Sequence, residues 1–379
     1  MNPVEIKEVR EPREWDAFLK LPWCLYQHDP LWIPPLICNL KRQLNAKKNP
    51  FFHNAEAKYW LAFKNGKCAG RIAAIINRQH NAHFSEKTGF WGYFECVDDA
   101  SVSRGLFDAA HEWLRKGGME HGRGPVNLSM NNECGFLING IDRSPVIQMS
   151  YNPAYYPGLV ESYGYIKEHD LLAYHISEEI LENERLMRRL KHISEFVMQR
   201  ENLAFRCFDT KNLRIEVEKI RELFNDFLSD CWGVVPMTKD EAVFMADSLK
   251  PVLVKELALF VEKDGQSIGC CLSVPDLNQV LKGMNGRLFP TGLFRFLVNR
   301  HRVTEIRLML MGITKSFRKR GLEAVLFNRT IMEASKRKYR GAEMSWVSES
   351  NLDVIRVLES MHAKVYKRYR IYGMPLKAG

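Results

Sequence analysis

One order of elements occurs twice along this chain, and that repeat limits the folds open to it. In the first half, "AEAKYWLAFK" and "CAGRIAAII" predict two strands joined at Asn65-Gly66, because Asn-Gly between apolar runs is a strong hairpin signal. "GFWGYFECVDD" reads as an aromatic strand, and "ASVSRGLFDAAHEWLRKGG" as a helix with a glycine stop. "GPVNLSMN" predicts a short strand, "NPAYYPGLVESYGY" a helix with proline near its start, and "LLAYHI" a closing strand. The second half begins with a helical region over roughly 180–250, broken near "CWGVVPMTKDE". "ELALFVEKDGQSIGCCLSV" then predicts a hairpin turning at Asp264-Gly265. "EIRLMLMGI" follows as a strand, 321–338 as a helix, "AEMSWVSE" as a strand, "NLDVIRVLESMHA" as a helix and "VYKRYRIYGM" as a strand. Hairpin, strand, helix, strand, helix, strand thus appear twice. The fold class is α/β with mixed sheets, and the predicted domains are 1–178 and 179–379, with the boundary near Ser177 to Glu184.

The 379 residues, 46% hydrophobic and 26% charged, suffice for a sizeable core. No run of about 18 apolar residues is present, and the charged start "MNPVEIKEVREPREW" reads as no export signal. Nine dispersed cysteines without a CxxC or metal spacing fit a reducing cytoplasm, and no metal site is expected. The net charge of +10 is concentrated: from Pro290 onward there are 19 Lys/Arg against 7 Asp/Glu. Such a patch attracts nucleotide phosphates, nucleic acid or an anionic membrane surface. Aromatics interleave with charges in "YKRYRIY", but that stretch also alternates as a plain strand, so no nucleic-acid partner is expected.

The stretch "MGITKSFRKRGLEAVLFNRT", 311–330, places a basic cluster and Gly321 between a strand and a helix. Helix N-termini offer unsatisfied N–H donors and partial positive charge, and both suit phosphate. Glycine permits close backbone approach, and Arg318, Lys319 and Arg320 add charge. A solvated basic turn would carry the same residues.

With its neighbours, this stretch resembles the GCN5-related N-acetyltransferase (GNAT) superfamily. The resemblance implies two tandem GNAT-like domains, each a mixed, mostly antiparallel sheet with a splayed parallel strand pair flanked by helices. That family's signature is Arg or Gln, two residues, Gly, one residue, then Gly or Ala. Arg318 and Gly321 match, and Glu323 departs from the small residue of the last slot. By resemblance, the backbone of Arg318, Lys319, Arg320, Gly321, Leu322 and Glu323 would hold the pyrophosphate of acetyl-CoA or a longer acyl-CoA. Met311, Gly312 or Ile313 would line the thioester, with the oxyanion donor at Met311 or Gly312. Asn351 matches a second signature, while Leu358 fills the slot of a Tyr that often serves as general acid, and His362 and Ala363 fill the Gly-aromatic slots. In the first half Asn152, Gly164 and Tyr165 fit, with Leu159 in the Tyr slot, but Asp98 and Asp99 would repel pyrophosphate. The second half is therefore expected to bind acyl-CoA, and the first to shape the acceptor site.

Acyl transfer to an amine needs a proton acceptor, an oxyanion donor and, where the thiolate needs it, a proton donor. Glu349 is the first candidate base, with His301, Glu305 and Asp276 as alternatives; Tyr366 is the first candidate acid, with Tyr369 and Tyr372 behind it. Alternation puts Tyr366 and Tyr372 on one face of their strand. The segment "PDLNQVLKGMNGRLFPTGLFRFLVNRHRV", 275–303, is long for this fold. It reads as a lid over an apolar acceptor, a foot on an anionic membrane, or plain packing. One bacterial branch with this fold makes ceramide and is similar in size and in its apolar insertion, which implies a lipid amine acceptor. The alternative to an N-acyltransferase is a non-catalytic ligand-binding or regulatory protein of the same fold.

Overall fold

A computed structural model describes residues 3–287 and 292–376. It divides into two compact units. The first draws on Met1–Leu171, Leu281–Pro290 and Lys367–Gly379, the second on Leu172–Val280 and Thr291–Tyr366.

The first unit contains β1 (Glu5–Glu8), α1 (Pro12–Leu25), α2 (Ile37–Gln43), β2 (Ala55–Lys64), β3 (Lys67–Asn77), α3 (Arg78–Phe84), β4 (Thr88–Cys96), α4 (Ala100–Lys116), β5 (His121–Gly124), β6 (Phe136–Asn139), α5 (Tyr156–Tyr163) and the start of β7 (Ile166–Ile176). The second continues with α6 (Glu178–Glu182), α7 (Glu184–Glu201), β8 (Ala204–Cys207), α8 (Leu213–Phe227), α9 (Lys239–Leu249), β9 (Ala258–Lys263) and β10 (Gln266–Pro275). It then runs through most of α10 (Asn278–Leu281), whose last residue is counted with the first unit, and through α11 (Gly292–Asn299), β11 (Glu305–Ile313), α12 (Leu322–Lys336), β12 (Gly341–Ser348) and α13 (Leu352–Ser360). β13 (Lys364–Pro375) begins there and enters the first unit at Lys367.

In the first unit the strands run β1-β2-β3-β4-β5, antiparallel except for β4 with β5. In the second, β8-β9-β10-β11 are antiparallel and β11 with β12 is parallel. Each set is completed by a strand from the other half of the sequence. β13 pairs with β5 and β6, and β7 is the neighbour of β12. Both predicted hairpins form: Asn65 and Gly66 have φ of 54° and 72°, Asp264 and Gly265 of 50° and 79°. Two consecutive left-handed residues are what a two-residue hairpin turn with the strands' own twist requires.

Two expectations need correction. The strand predicted over "GPVNLSMN" sits earlier, at His121–Gly124, because Pro125 has no N–H to continue a ladder. The region read as helical over roughly 180–250 also contains strand β8, which extends the sheet beside β9.

Periodicity explains the cores. α4 turns Val102, Leu106, Ala110 and Leu114, four residues apart, onto Trp60, Ile72 and Trp91. α12 lays Leu322, Val325 and Leu326, and α7 Leu190 and Val197, against Leu308, Ile313 and Met344. α8 and α9 cover the strands elsewhere through Val217, Leu223, Phe227 and Ala242, against Ala258, Phe260 and Cys270. Fully burying each such aliphatic side chain contributes about 1.5–3 kcal/mol.

Candidate active site

β11 and β12 pair over only four rungs, from Glu305↔Gly341 to Leu308↔Met344. Among the described residues, the edge of β11 that faced β12 has no strand partner beyond Leu308, while its other edge stays on β10 as far as Gly269↔Ile313. A bulge marks the divergence: Leu272 opposes Leu310 and Ser273 opposes Leu308, so Met309 is the extra residue. Bulges sharpen local twist, which turns the strand's end away. Met311 and Gly312, half-buried, and Ile313, buried, lie on this freed end. Glycine is required at 312, since a Cβ there would stand 2.3 Å from the ring of Phe227. The first unit repeats the device. β4 and β5 share three rungs, Thr88↔His121 to Phe90↔Arg123, and β4 is irregular against β3 between the rungs Ala73↔Gly92 and Arg71↔Glu95.

β11 leads into a turn ending at Gly321, the residue preceding α12. Lys319 and Gly321 have φ of 62° and 83°. Left-handed residues in such a turn gather backbone N–H groups into an anion-binding concavity. No side chain caps the α12 N-terminus among the described residues. The matching helix of the first unit is closed: Asp99 Oδ1 accepts the Ser101 N–H at 2.9 Å, and the same carboxylate binds Lys64. The hydrogen bond from Lys64, followed by those from Ser101, holds the Asp99 carboxyl down at about 2. That N-terminus carries its own anion, while α12 presents open donors.

The cations of the α12 turn are engaged with neighbouring groups. Arg318 donates to the Phe227 carbonyl at 2.8 Å, at the end of α8, and lies 3.9 Å from Asp230. Lys315 pairs with Asp230 at 2.9 Å, and its N–H donates to Asp226 Oδ2 at 3.0 Å. Arg320 and Lys263 each reach Glu201 at 3.3 Å, and Arg200 donates to the Arg320 carbonyl at 2.7 Å. Burial pushes the Glu201 carboxyl up, but hydrogen bonds from Lys263, Arg200 and Arg320 outweigh it and the group sits low. Lys319 is exposed, and Glu323 is half-buried in the first helical turn.

A second cluster sits where β11 and β12 part. Arg307 and Glu343 are register partners, and both are buried. Ser345 Oγ donates to Glu343 Oε1 at 2.5 Å, and Arg307 Nε donates to Ser345 Oγ at 3.0 Å. The Tyr366 hydroxyl donates to Glu343 Oε2. The ring of His175 lies 5.3 Å from that of Tyr366, and its Nε2 is 3.4 Å from Glu305 Oε1. Of this cluster only Tyr366 and Glu305 were expected from the sequence; Arg307, Glu343, Ser345 and His175 were not. The available signal was a charge flanked by apolar residues in each of two apolar stretches, Arg307 in "EIRLMLMGI" and Glu343 in "AEMSWVSE".

The remaining candidates are dispersed. Glu349 occupies the turn after β12. Asn351 caps α13, its Oδ1 accepting the Val354 N–H at 3.3 Å. Leu358 is fully buried in the core. Asp276 is buried directly after the end of β10, and its N–H donates to the Glu305 carbonyl at 2.9 Å; His301 is exposed after α11. Tyr369 and Tyr372 are buried in the first unit, where Tyr372 donates to Glu161 at 2.9 Å. A register shift between Arg368 and Tyr369 interrupts the simple alternation expected of β13. All nine cysteines are free, and burial pushes the Cys271 thiol up to about 11, which suits a core residue rather than a nucleophile. Of the insertion 275–303, residues 288–291 lie outside the described residues. Among the described residues no helix is long and apolar enough to cross a membrane.

No family model matches the chain. It is 34% identical over 375 residues to the bacterial ceramide synthase of Caulobacter vibrioides, covering 97% of this chain and 96% of that protein. It is 33% identical over 362 residues to protein YghO of Escherichia coli, covering 94% and 91%. Among solved structures, it resembles a tandem GNAT protein from the clavulanic acid biosynthesis pathway with a TM-score of 0.59, 9% identity and 99% of each chain covered. A GCN5-related N-acetyltransferase from Anabaena variabilis gives a TM-score of 0.52 at 10% identity, covering 99% of this chain and 73% of that one. These likenesses establish the tandem GNAT fold.

Proposed function

This chain is a tandem-GNAT acyltransferase and belongs to the family of the Caulobacter vibrioides ceramide synthase; from that premise we propose that it moves an acyl group from a coenzyme A thioester to the amine of a lipid. The observation that carries the reading is the open N-terminus of α12 at the end of the strand that splays from β12.

The second half, 179–379, takes the acyl-CoA, and the first, 1–178, shapes the acceptor side, since its own helix N-terminus is filled by Asp99. The pyrophosphate lies on the backbone of 318–323, where helix dipole and open donors favour an anion. Its oxygens compete with Glu201, Asp226 and Asp230 for Lys315, Arg318 and Arg320. The thioester follows the freed edge of β11, where an N–H of Met311 or Gly312 meets the oxyanion and Ile313 and Asn351 flank the chain.

The amine attacks the carbonyl carbon, so a C–N bond forms and the C–S bond breaks. The amine proton passes to Tyr366 Oη as the Tyr366 proton passes to Glu343 Oε2. The pair returns a proton to the departing thiolate, which balances the step. Glu349, at the end of β12, is the alternative acceptor. A lipid amine places the work at the cytoplasmic face of a membrane.

Thermal shifts with acetyl-, medium-chain and palmitoyl-CoA test this on wild type and on Arg318→Glu with Gly321→Asp. A ligand at 100 times its Kd adds about 2.7 kcal/mol. Wild type alone should be stabilised, increasingly with chain length. Equal shifts in both proteins would remove the phosphate cradle, and a flat chain-length series would remove the long-chain donor.

A further inference from the structure

We propose that α11 is a docking helix for an anionic phospholipid surface. Three of its apolar residues are exposed: Phe294 by 71%, Leu297 by 51% and Val298 by 43%. Spacings of three and four residues put these side chains on one face of the helix. Globular surfaces carry single exposed apolar residues without consequence, but a contiguous apolar face marks an interaction site.

Charge selects the partner. From Leu277 to Thr304 the sequence has five Lys/Arg and no Asp or Glu. Arg295 lies on α11 itself, and Arg300, His301 and Arg302 form the exposed turn that follows it. An apolar stripe bordered by arginines matches the acyl–headgroup boundary, where the stripe buries and guanidiniums meet phosphates. The turn is tied down at its far end. Val303 is buried, and the Thr304 N–H donates to Gln279 at 3.0 Å, two residues before Ile306 enters the core. A single eight-residue amphipathic helix would bind weakly and reversibly.

This deepens the lipid-amine reading by naming the surface that would meet the acceptor's membrane, and vesicle binding is measured apart from turnover. Full-length protein is co-sedimented with pure phosphatidylcholine vesicles and with vesicles containing phosphatidylglycerol. Wild type should pellet with the anionic vesicles only, and less at high salt. Arg300→Gln with Arg302→Gln should partition about 30-fold more weakly, from about 1 kcal/mol per arginine. Phe294→Ser with Leu297→Ser should lose pelleting while keeping the wild-type melting temperature. Phe294→Trp serves as a reporter whose emission should shift to the blue on anionic vesicles alone. Failure of wild type to pellet, equal pelleting by the variants, or an unshifted reporter would overturn the proposal. A wild-type dimer that Phe294→Ser with Leu297→Ser converts to monomer would also overturn it, by assigning the face to a second copy. Acyl transfer to a short soluble amine should be the same in wild type and these variants, so loss of docking is distinguishable from loss of the acyltransferase reading.

Discussion

The Tyr366 hydroxyl donates to the carboxylate of Glu343, whose side chain has no solvent exposure. A buried carboxylate is tolerated only when hydrogen bonds replace its water. Here Ser345 supplies a second donor, and Arg307 holds Ser345. The pair lies at the last rungs shared by β11 and β12, where the strands begin to open. A buried polar chain there is costly for stability, and groups held at such a cost are often functional, which supports the proton transfer proposed for it.

Replacing Tyr366 with Phe, or Glu343 with the isosteric Gln, should lower kcat about 100-fold or more, since positioned acid–base groups contribute about 10²–10⁴. Acyl-CoA thermal shifts should be unchanged, because neither residue belongs to the turn before α12 that is proposed to hold the pyrophosphate. Steady-state rates across pH check this. Wild-type kcat with an unaltered pH profile in both variants would take the pair out of the chemistry.

Arg307→Met should destabilise the second unit by about 3–5 kcal/mol, as expected when one member of a buried charged network is removed. Urea denaturation measures it. A loss under about 1 kcal/mol would mean that Glu343 and Ser345 are satisfied without the guanidinium.

Glycine has a different reason at each of two positions. Gly312→Ala would force the Phe227 ring to move from a Cβ at 2.3 Å, with an expected cost of about 1–3 kcal/mol. Gly321→Ala meets Val197 at 3.2 Å and must hold φ at 83°, which costs an L-residue about 1–2 kcal/mol. Both should also weaken acyl-CoA binding by thermal shift. Full ligand stabilisation in Gly321→Ala would argue against close backbone approach at that turn.

The repeated element order was legible because hairpin turns and helical periods are local. Asn65-Gly66, Asp264-Gly265 and the apolar stripe of α4 needed no tertiary information. The turn before α12 was legible for the same reason, as a glycine and a basic cluster between a strand and a helix. Partnership was not legible. Nothing local in "VYKRYRIYGM" says that β13 would join β5 and β6, so Tyr366 and Tyr372 could not be assigned to different units. Glu343 was missed because its partners, Arg307 and Tyr366, are 36 and 23 residues away, and only strand register brings them together. The engagement of Arg318 with the end of α8 was equally hidden, since it joins residues 91 apart.

The contrast between the two helix N-termini gives a pH-dependent test. Asp99 caps α4, so Asp99→Ala should cost about 1 kcal/mol. Its carboxyl is held at about 2 in the folded protein, against an ordinary value of 3.8, first by the hydrogen bond from Lys64. The folded value is the lower one, so the unfolded chain takes up the proton first as pH falls. The stabilisation is therefore complete above about pH 4 and is lost as pH falls from there towards 2. Melting temperatures of wild type and Asp99→Ala should differ by a constant amount above pH 4 and converge below it, whereas a gap unchanged at pH 2–3 would show that the carboxylate's charge is not what closes α4. Acyl-CoA shifts at neutral pH should be equal in the two proteins. New acyl-CoA binding created by Asp99→Ala would mean that the first unit's turn is a second cradle blocked only by its own anion.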